Sequence, residues 1–90
     1  MSRVVEVSCT RSTGETLRDR VRLRGMSVLA YSVQASSPFA ELTEGEELTN
    51  LVVVGDRPID RWNHARVKVT CNKDMMNGER DIDLKDLNAT

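Results

Sequence analysis

The sequence predicts an all-β domain of six short antiparallel strands, with at most a short helical turn. Three observations carry that expectation. Apolar and polar side chains alternate in short runs, the period of a strand that is half buried. Clusters of glycine, serine, proline and asparagine interrupt those runs at roughly even spacing, as connecting turns do. No long stretch of the 90 residues shows helical spacing, and only Phe39–Thr43 and Lys85–Asn88 are candidates for a helical turn. Such a pattern closes as a barrel or packs as a sandwich. Residues 1–90 make a single small domain, and a chain this short needs one compact, continuous core.

The first strand is expected over Arg3–Thr10, with Val5, Val7 and Cys9 on one face and Val4, Glu6 and Ser8 on the other. Arg11–Glu15 follows as a turn, since Gly14 tolerates positive φ and Ser12 and Thr13 favour local side-chain bonds. Thr16–Arg24 is the second strand, antiparallel to the first. Leu17, Asp19, Val21 and Leu23 share one of its faces, and Arg18, Arg20, Arg22 and Arg24 share the other. Glu6 is placed to lie among these arginines as a cross-strand partner.

Gly25 and Met26 break the alternation, as a bulge or bend would. Ser27–Ala35 is the third strand, with both faces apolar enough for burial, and Ser36, Ser37 and Pro38 end it. Phe39 and Leu42 tuck into the core, and Glu44-Gly45-Glu46 turns the chain. Glu47–Val54 is the fourth strand, and its continuous Leu51–Val54 run marks it as central. Gly55–Arg61 is a loop. Trp62–Cys71 is the fifth strand, with Ala65, Val67, Val69 and Cys71 inward and Arg66, Lys68 and Thr70 outward. Asn72–Gly78 is a turn ending in Asn-Gly, Glu79–Leu84 is the sixth strand, and Leu87 caps the end of the core. The last three residues are expected to be loose.

Composition narrows the chemistry. A net charge of −1 supplies no bulk attraction to nucleic acid or to an anionic membrane. Three aromatic residues, Tyr31, Phe39 and Trp62, do not make a base-stacking platform. No apolar run approaches the ~20 residues that span a bilayer, and the N-terminus has no long apolar run of the signal-peptide kind. A cytoplasmic location without membrane insertion is the resulting expectation. Cys9 and Cys71 are expected to be reduced and to serve as small buried apolar groups. His64 has no cysteine or carboxylate at metal-ligand spacing and is expected to be an ordinary exposed residue, so no metal site is expected. No serine has the setting of a nucleophile, and no glycine-rich loop is arranged to cradle phosphate. Glu41, Glu44, Glu46 and Glu47 read as a solvated acidic edge. A non-enzymatic protein without a cofactor is the expectation.

The arginine row is the one charged feature with a defined geometry. Four guanidinium groups on one face suit bidentate binding of anions. The plainer alternative is a solvent-facing strand whose arginines pair with Glu6 and neighbouring acids, each pair contributing little.

Taken in order, VEVSCTRSTGETLRDRVRLRGMSVLAYSVQASSPFAEL, TEGEELTNLVVV and ARVKVTCNKDMMNGERDIDLKDLN resemble, respectively, the first hairpin and signature stretch, the turn and strand that follow, and the closing hairpin of the PilZ domain family. The resemblance implies a six-stranded antiparallel barrel and a role in bacterial signalling. Many PilZ domains bind cyclic di-GMP through an Arg-x-x-x-Arg motif ahead of the first strand and an Asp/Asn-x-Ser-x-x-Gly motif. The second motif falls on Gly25-Met26-Ser27-Val28-Leu29-Ala30, where only Ser27 matches. Arg3 is the only arginine at the N-terminus. Arg18/Arg22 and Arg20/Arg24 have the first motif's spacing but lie within a strand. Losing these donors would cost several tenfold steps in affinity, at ~1.4 kcal/mol per step.

The resemblance therefore implies an adaptor that works through protein contacts in motility or surface behaviour, without standard cyclic di-GMP binding. Arg18, Arg20, Arg22, Arg24 and Trp62 are the candidate partner contacts. Two alternatives stand beside it: a divergent cyclic di-GMP receptor using Ser27 and Arg3, and a small structural β-protein that assembles through its edge strands.

Overall fold

A computed structural model describes residues 3–74 and 77–88. Six strands close into one antiparallel barrel in the order β1-β2-β3-β6-β5-β4. They are β1 (Arg3–Arg11), β2 (Thr16–Leu23), β3 (Ala30–Gln34), β4 (Glu47–Val54), β5 (Arg61–Asp74) and β6 (Glu79–Asp86). The interior holds Val5, Val7 and Cys9 of β1, Leu17, Val21 and Leu23 of β2, and their counterparts around the ring. Alternation puts these side chains inside, and the hydrophobic effect holds them there.

Two 3-10 turns complete the chain. Pro38–Glu41 begins at Ser37, whose Oγ accepts from the Phe39 amide at 3.1 Å, and it drives Phe39 into the core beside Leu42. Pro58–Asp60 occupies the stretch expected to be an irregular loop.

Two bulges correct the expected facing of β4 and β5. On the β1–β4 ladder Ser8 pairs with Val52 but Thr10 pairs with Thr49, so Cys9 faces two residues, Asn50 and Leu51. Asn50 has φ +54°, a conformation asparagine tolerates better than most residues. Past it the inward set changes from Leu48 to Leu51 and Val53. The run Leu51–Val54 is therefore half outside: Val54 is exposed, and a closed barrel has no central strand. β5 follows β4 without slipping, so His64 lies opposite Leu51 and Trp62 opposite Val53, and Ala65 is exposed rather than inward. The second bulge is at Thr70, where the β5–β6 register shifts between Val69 and Cys71. It turns Cys71 to a half-exposed position across from Asp83, so Cys71 is not a buried apolar group. Both cysteines are free.

The third strand is shorter than expected because residues 24–29 form the β2–β3 connection. The Arg24 amide bonds to the Ala30 carbonyl at 2.8 Å, and Gly25 takes φ +67° to close the loop. Leu29 still packs on the core from there. The closing hairpin is tighter than expected, with β5 paired through Asp74 to Arg80. Within the predicted turn, Asn77 and Gly78 are described, Gly78 at φ +74°, and Met75 and Met76 lie outside the described residues. Lys85 and Asp86 extend β6 and do not start a helix. Leu87 is half-buried and its amide bonds to the Arg66 carbonyl at 3.0 Å. Of the last three residues, Ala89 and Thr90 lie outside the described set.

Candidate binding site

The β1–β2 ladder fixes the arginine row. Strand alternation places Arg18, Arg20 and Arg22 outside, opposite Ser8, Glu6 and Val4 respectively. Arg24 follows just past the end of β2. The four guanidinium groups have different fates. Arg18 Nε and Nη2 both donate to Glu6 Oε1, at 3.0 and 2.7 Å. Arg22 Nη1 reaches Glu79 Oε1 at 3.3 Å across β3. Arg24 is paired with Asp83 and lies 3.5 Å from Asp81. Arg20 has no carboxylate partner among the described residues, although Glu6 stands directly opposite it.

Arg20 instead borders three adjoining surface depressions. The largest, a cleft of about 440 Å³, is lined by Arg3, Val4, Arg20, Asp56, Arg57 and Asp60. A second involves Glu6, Val54 and Gly55, and a third opens toward Ser32, Gln34 and Glu79. Val4 and Arg20 border all three. Val4 is exposed, so the groove pairs an apolar strip with an uncommitted cation.

One wall of the cleft is a small built structure. Asp60 is buried, and Arg57 Nε and Nη2 donate to its two carboxylate oxygens at 3.2 and 3.3 Å. The Arg57 amide adds a third bond at 3.2 Å, and Arg3 pairs with the same carboxylate. The Arg57 and Arg3 bonds push the Asp60 carboxyl down to about 2. Gly55 makes the arrangement possible: a Cβ there would sit 2.6 Å from Asp60 Cβ. Asp60 thus neutralises part of the positive charge of Arg3 and Arg57, Asp56 adds a second carboxylate to the lining, and Arg20 is the lining arginine that makes no ion pair among the described residues. The pattern Gly55-Asp56-Arg57-Pro58-Ile59-Asp60 carried a legible signal, since a proline opening a short helical turn with an acid two residues on is a capping arrangement.

The remaining expected site residues are dispersed. Ser27 sits in the β2–β3 loop, exposed, with its Oγ accepting from the Leu29 amide at 3.1 Å. It lines none of the depressions that Arg3 borders. Trp62 is on β5, separated from β2 by β1 and β4 in the ring. It is 44% exposed and stacks on His64, with ring centroids 6.4 Å apart and planes 5° from parallel.

Three pairings escaped the sequence because they join distant segments. His64 is not an ordinary exposed residue. Its side chain is only 12% exposed, and Nδ1 lies 2.7 Å from Asp86 Oδ2. Glu46 is not part of a solvated edge: it takes Arg11 Nε at 2.5 Å and Nη2 at 3.0 Å. Burial pushes the Glu46 carboxyl up, but the bonds from Arg11 and Thr43 outweigh it and hold the group below the usual range. Cys71 lies across from Asp83, whose carboxylate raises the thiol above the ordinary value. Burial pushes the Cys9 thiol up to about 12. Among the described residues no three His, Cys, Asp or Glu side chains come together as a metal site.

Neither a protein-family model, nor a curated protein, nor a solved structure matches this chain. No helix among the described residues is long and apolar enough to cross a membrane.

Proposed function

We propose that this chain is a non-enzymatic regulatory or adaptor module that binds an acidic segment of a protein partner. The setting is the bacterial motility or surface-behaviour signalling that the resemblance to PilZ domains implies, in the cytoplasm. The observation that supports it best is Arg20, exposed beside Val4 at the meeting point of three depressions and without an ion-pair partner among the described residues. An uncommitted arginine beside an apolar side chain suits a partner carboxylate flanked by an apolar residue. Arg18, Arg22 and Arg24 are already satisfied by acids of this chain and serve as the rim. Trp62 lies outside this surface.

The test places a photo-crosslinking side chain at Val4 and captures the partner from the native host, with and without Arg20→Glu. Capture that depends on Arg20 and weakens with salt is the expected result. Equal capture by both forms overturns the reading.

Arg3 favours a second reading. It lies in the same cleft as Arg20 and Arg57, so three guanidinium groups, set against the carboxylates of Asp56 and Asp60, border one space of a size that a phosphodiester such as cyclic di-GMP could enter. Ser27 takes no part in it. Calorimetry with cyclic di-GMP decides: heat that disappears in Arg20→Ala supports a receptor, and no heat at high ligand concentration removes it.

A further inference from the structure

β5 is fourteen residues long, and its two neighbours share it out. β4 pairs with Arg61–Lys68 on one side, and β6 pairs with Val67–Asp74 on the other. The last backbone bond on the β6 side runs from the Leu87 amide to the Arg66 carbonyl. Arg61–Ala65 is therefore bonded to β4 alone, and among the described residues nothing pairs with its second edge. Arg61, Trp62, Asn63 and Ala65 are all exposed.

Free strand edges are normally blunted by charge, by proline or by a covering segment. The comparable stretch of β2, Thr16–Arg20, has two arginines and an aspartate, and the first 3-10 turn packs against β2. The β5 edge has a single charge, Arg61, at its very end, and no proline. It also carries the exposed face of Trp62, with Ile59 exposed just before it.

We propose that this half of β5 pairs with the same segment of a second copy of the chain, antiparallel, about a two-fold axis at Asn63. Centring there uses all five open residues. It sets Arg61 opposite the second copy's Ala65, so no arginine faces an arginine. It sets Trp62 opposite the second copy's His64 on the same face, so the two Trp62–His64 stacks lie side by side. Such a contact is isologous and closes as a dimer. A ladder of five residues is small, so the dimer forms at high protein concentration. Asn63, at the axis, lies away from Arg20, with β1 and β4 between β2 and β5, although the Arg61 end of the edge adjoins the Arg57–Asp60 wall of the cleft.

The test is sedimentation equilibrium on the full chain over a wide concentration range, with Asn63→Lys and Asn63→Glu made separately. Asn63 is exposed and makes no side-chain bond among the described residues, so both variants keep the fold, which far-UV circular dichroism checks. Either variant alone sets like charges across the axis and is expected to weaken dimerisation by about tenfold or more. Mixing the two in equal amounts restores it. A monomer at every concentration, unchanged dimerisation in Asn63→Lys, or a mixture no better than its components overturns the proposal.

Discussion

Glu6 and Arg20 stand directly opposite one another on the β1–β2 ladder, yet the Glu6 carboxylate is taken by Arg18. That diagonal choice leaves Arg20 free to face a partner. Arg20→Ala is therefore expected to change stability by no more than about 0.5 kcal/mol, as surface substitutions without a lost contact do. A urea titration checks this. A larger loss would mean that Arg20 holds the barrel together rather than serving its surface.

Gly55 has an ordinary φ, so its value lies in space and not in conformational freedom. Gly55→Ala would push a methyl group into Asp60 and disrupt the bonds that Arg57 and Arg3 make there. Overpacking of this kind costs about 1–3 kcal/mol. Chemical denaturation of the variant should show that loss, and Gly55→Ala at wild-type stability would refute the close approach.

The same carboxylate sets a pH dependence. Its folded value of about 2 lies below the ordinary aspartate value of 3.8, so the folded state binds this proton less readily than the unfolded chain. The stabilisation is complete above the unfolded value and is lost as pH falls through about 4 to about 2. Glu46, also lowered, adds to the loss in the same direction. The melting temperature should fall over that window, and Asp60→Asn should fall less steeply. Parallel curves for the two proteins would show that Asp60 does not contribute.

Thiolate is the reactive form of cysteine, and both thiols are raised here. Cys9 is buried and should resist alkylation in the folded protein at pH 8. Cys71 should react slowly despite its half exposure, and Asp83→Asn should speed it several-fold by removing the negative charge that disfavours the thiolate. An unchanged rate in that variant would show that Asp83 does not hold the thiol protonated.

Asn50 marks the point where the inward face of β4 changes. Asn50→Val places a β-branched residue at φ +54° and is expected to cost about 1–2 kcal/mol, whereas Asn50→Gly should be close to neutral. Thermal denaturation of the pair separates backbone strain from the loss of the side chain.

Strand periodicity was enough to read β1, β2 and β4 with nearly their observed bounds, because alternation is a local property that each residue states for itself. The outward arginine row, the inward Val5, Val7 and Cys9, and the Asn-Gly turn were legible for the same reason. What alternation cannot report is a bulge. One extra residue at Asn50 and another at Thr70 reversed the facing of Ala65 and Cys71 and brought His64 to the core-facing side of β5. Nor does a sequence state which of several acids an arginine will choose. Arg11 with Glu46, His64 with Asp86, and Arg57 and Arg3 with Asp60 are set by ring closure, which brings together residues far apart in the chain. The sequence by itself determined the strands and the sign of each face. Only the tertiary structure decided that three of the four arginines are already satisfied and that Arg20 is not, because that depends on which carboxylates the closed barrel carries within reach.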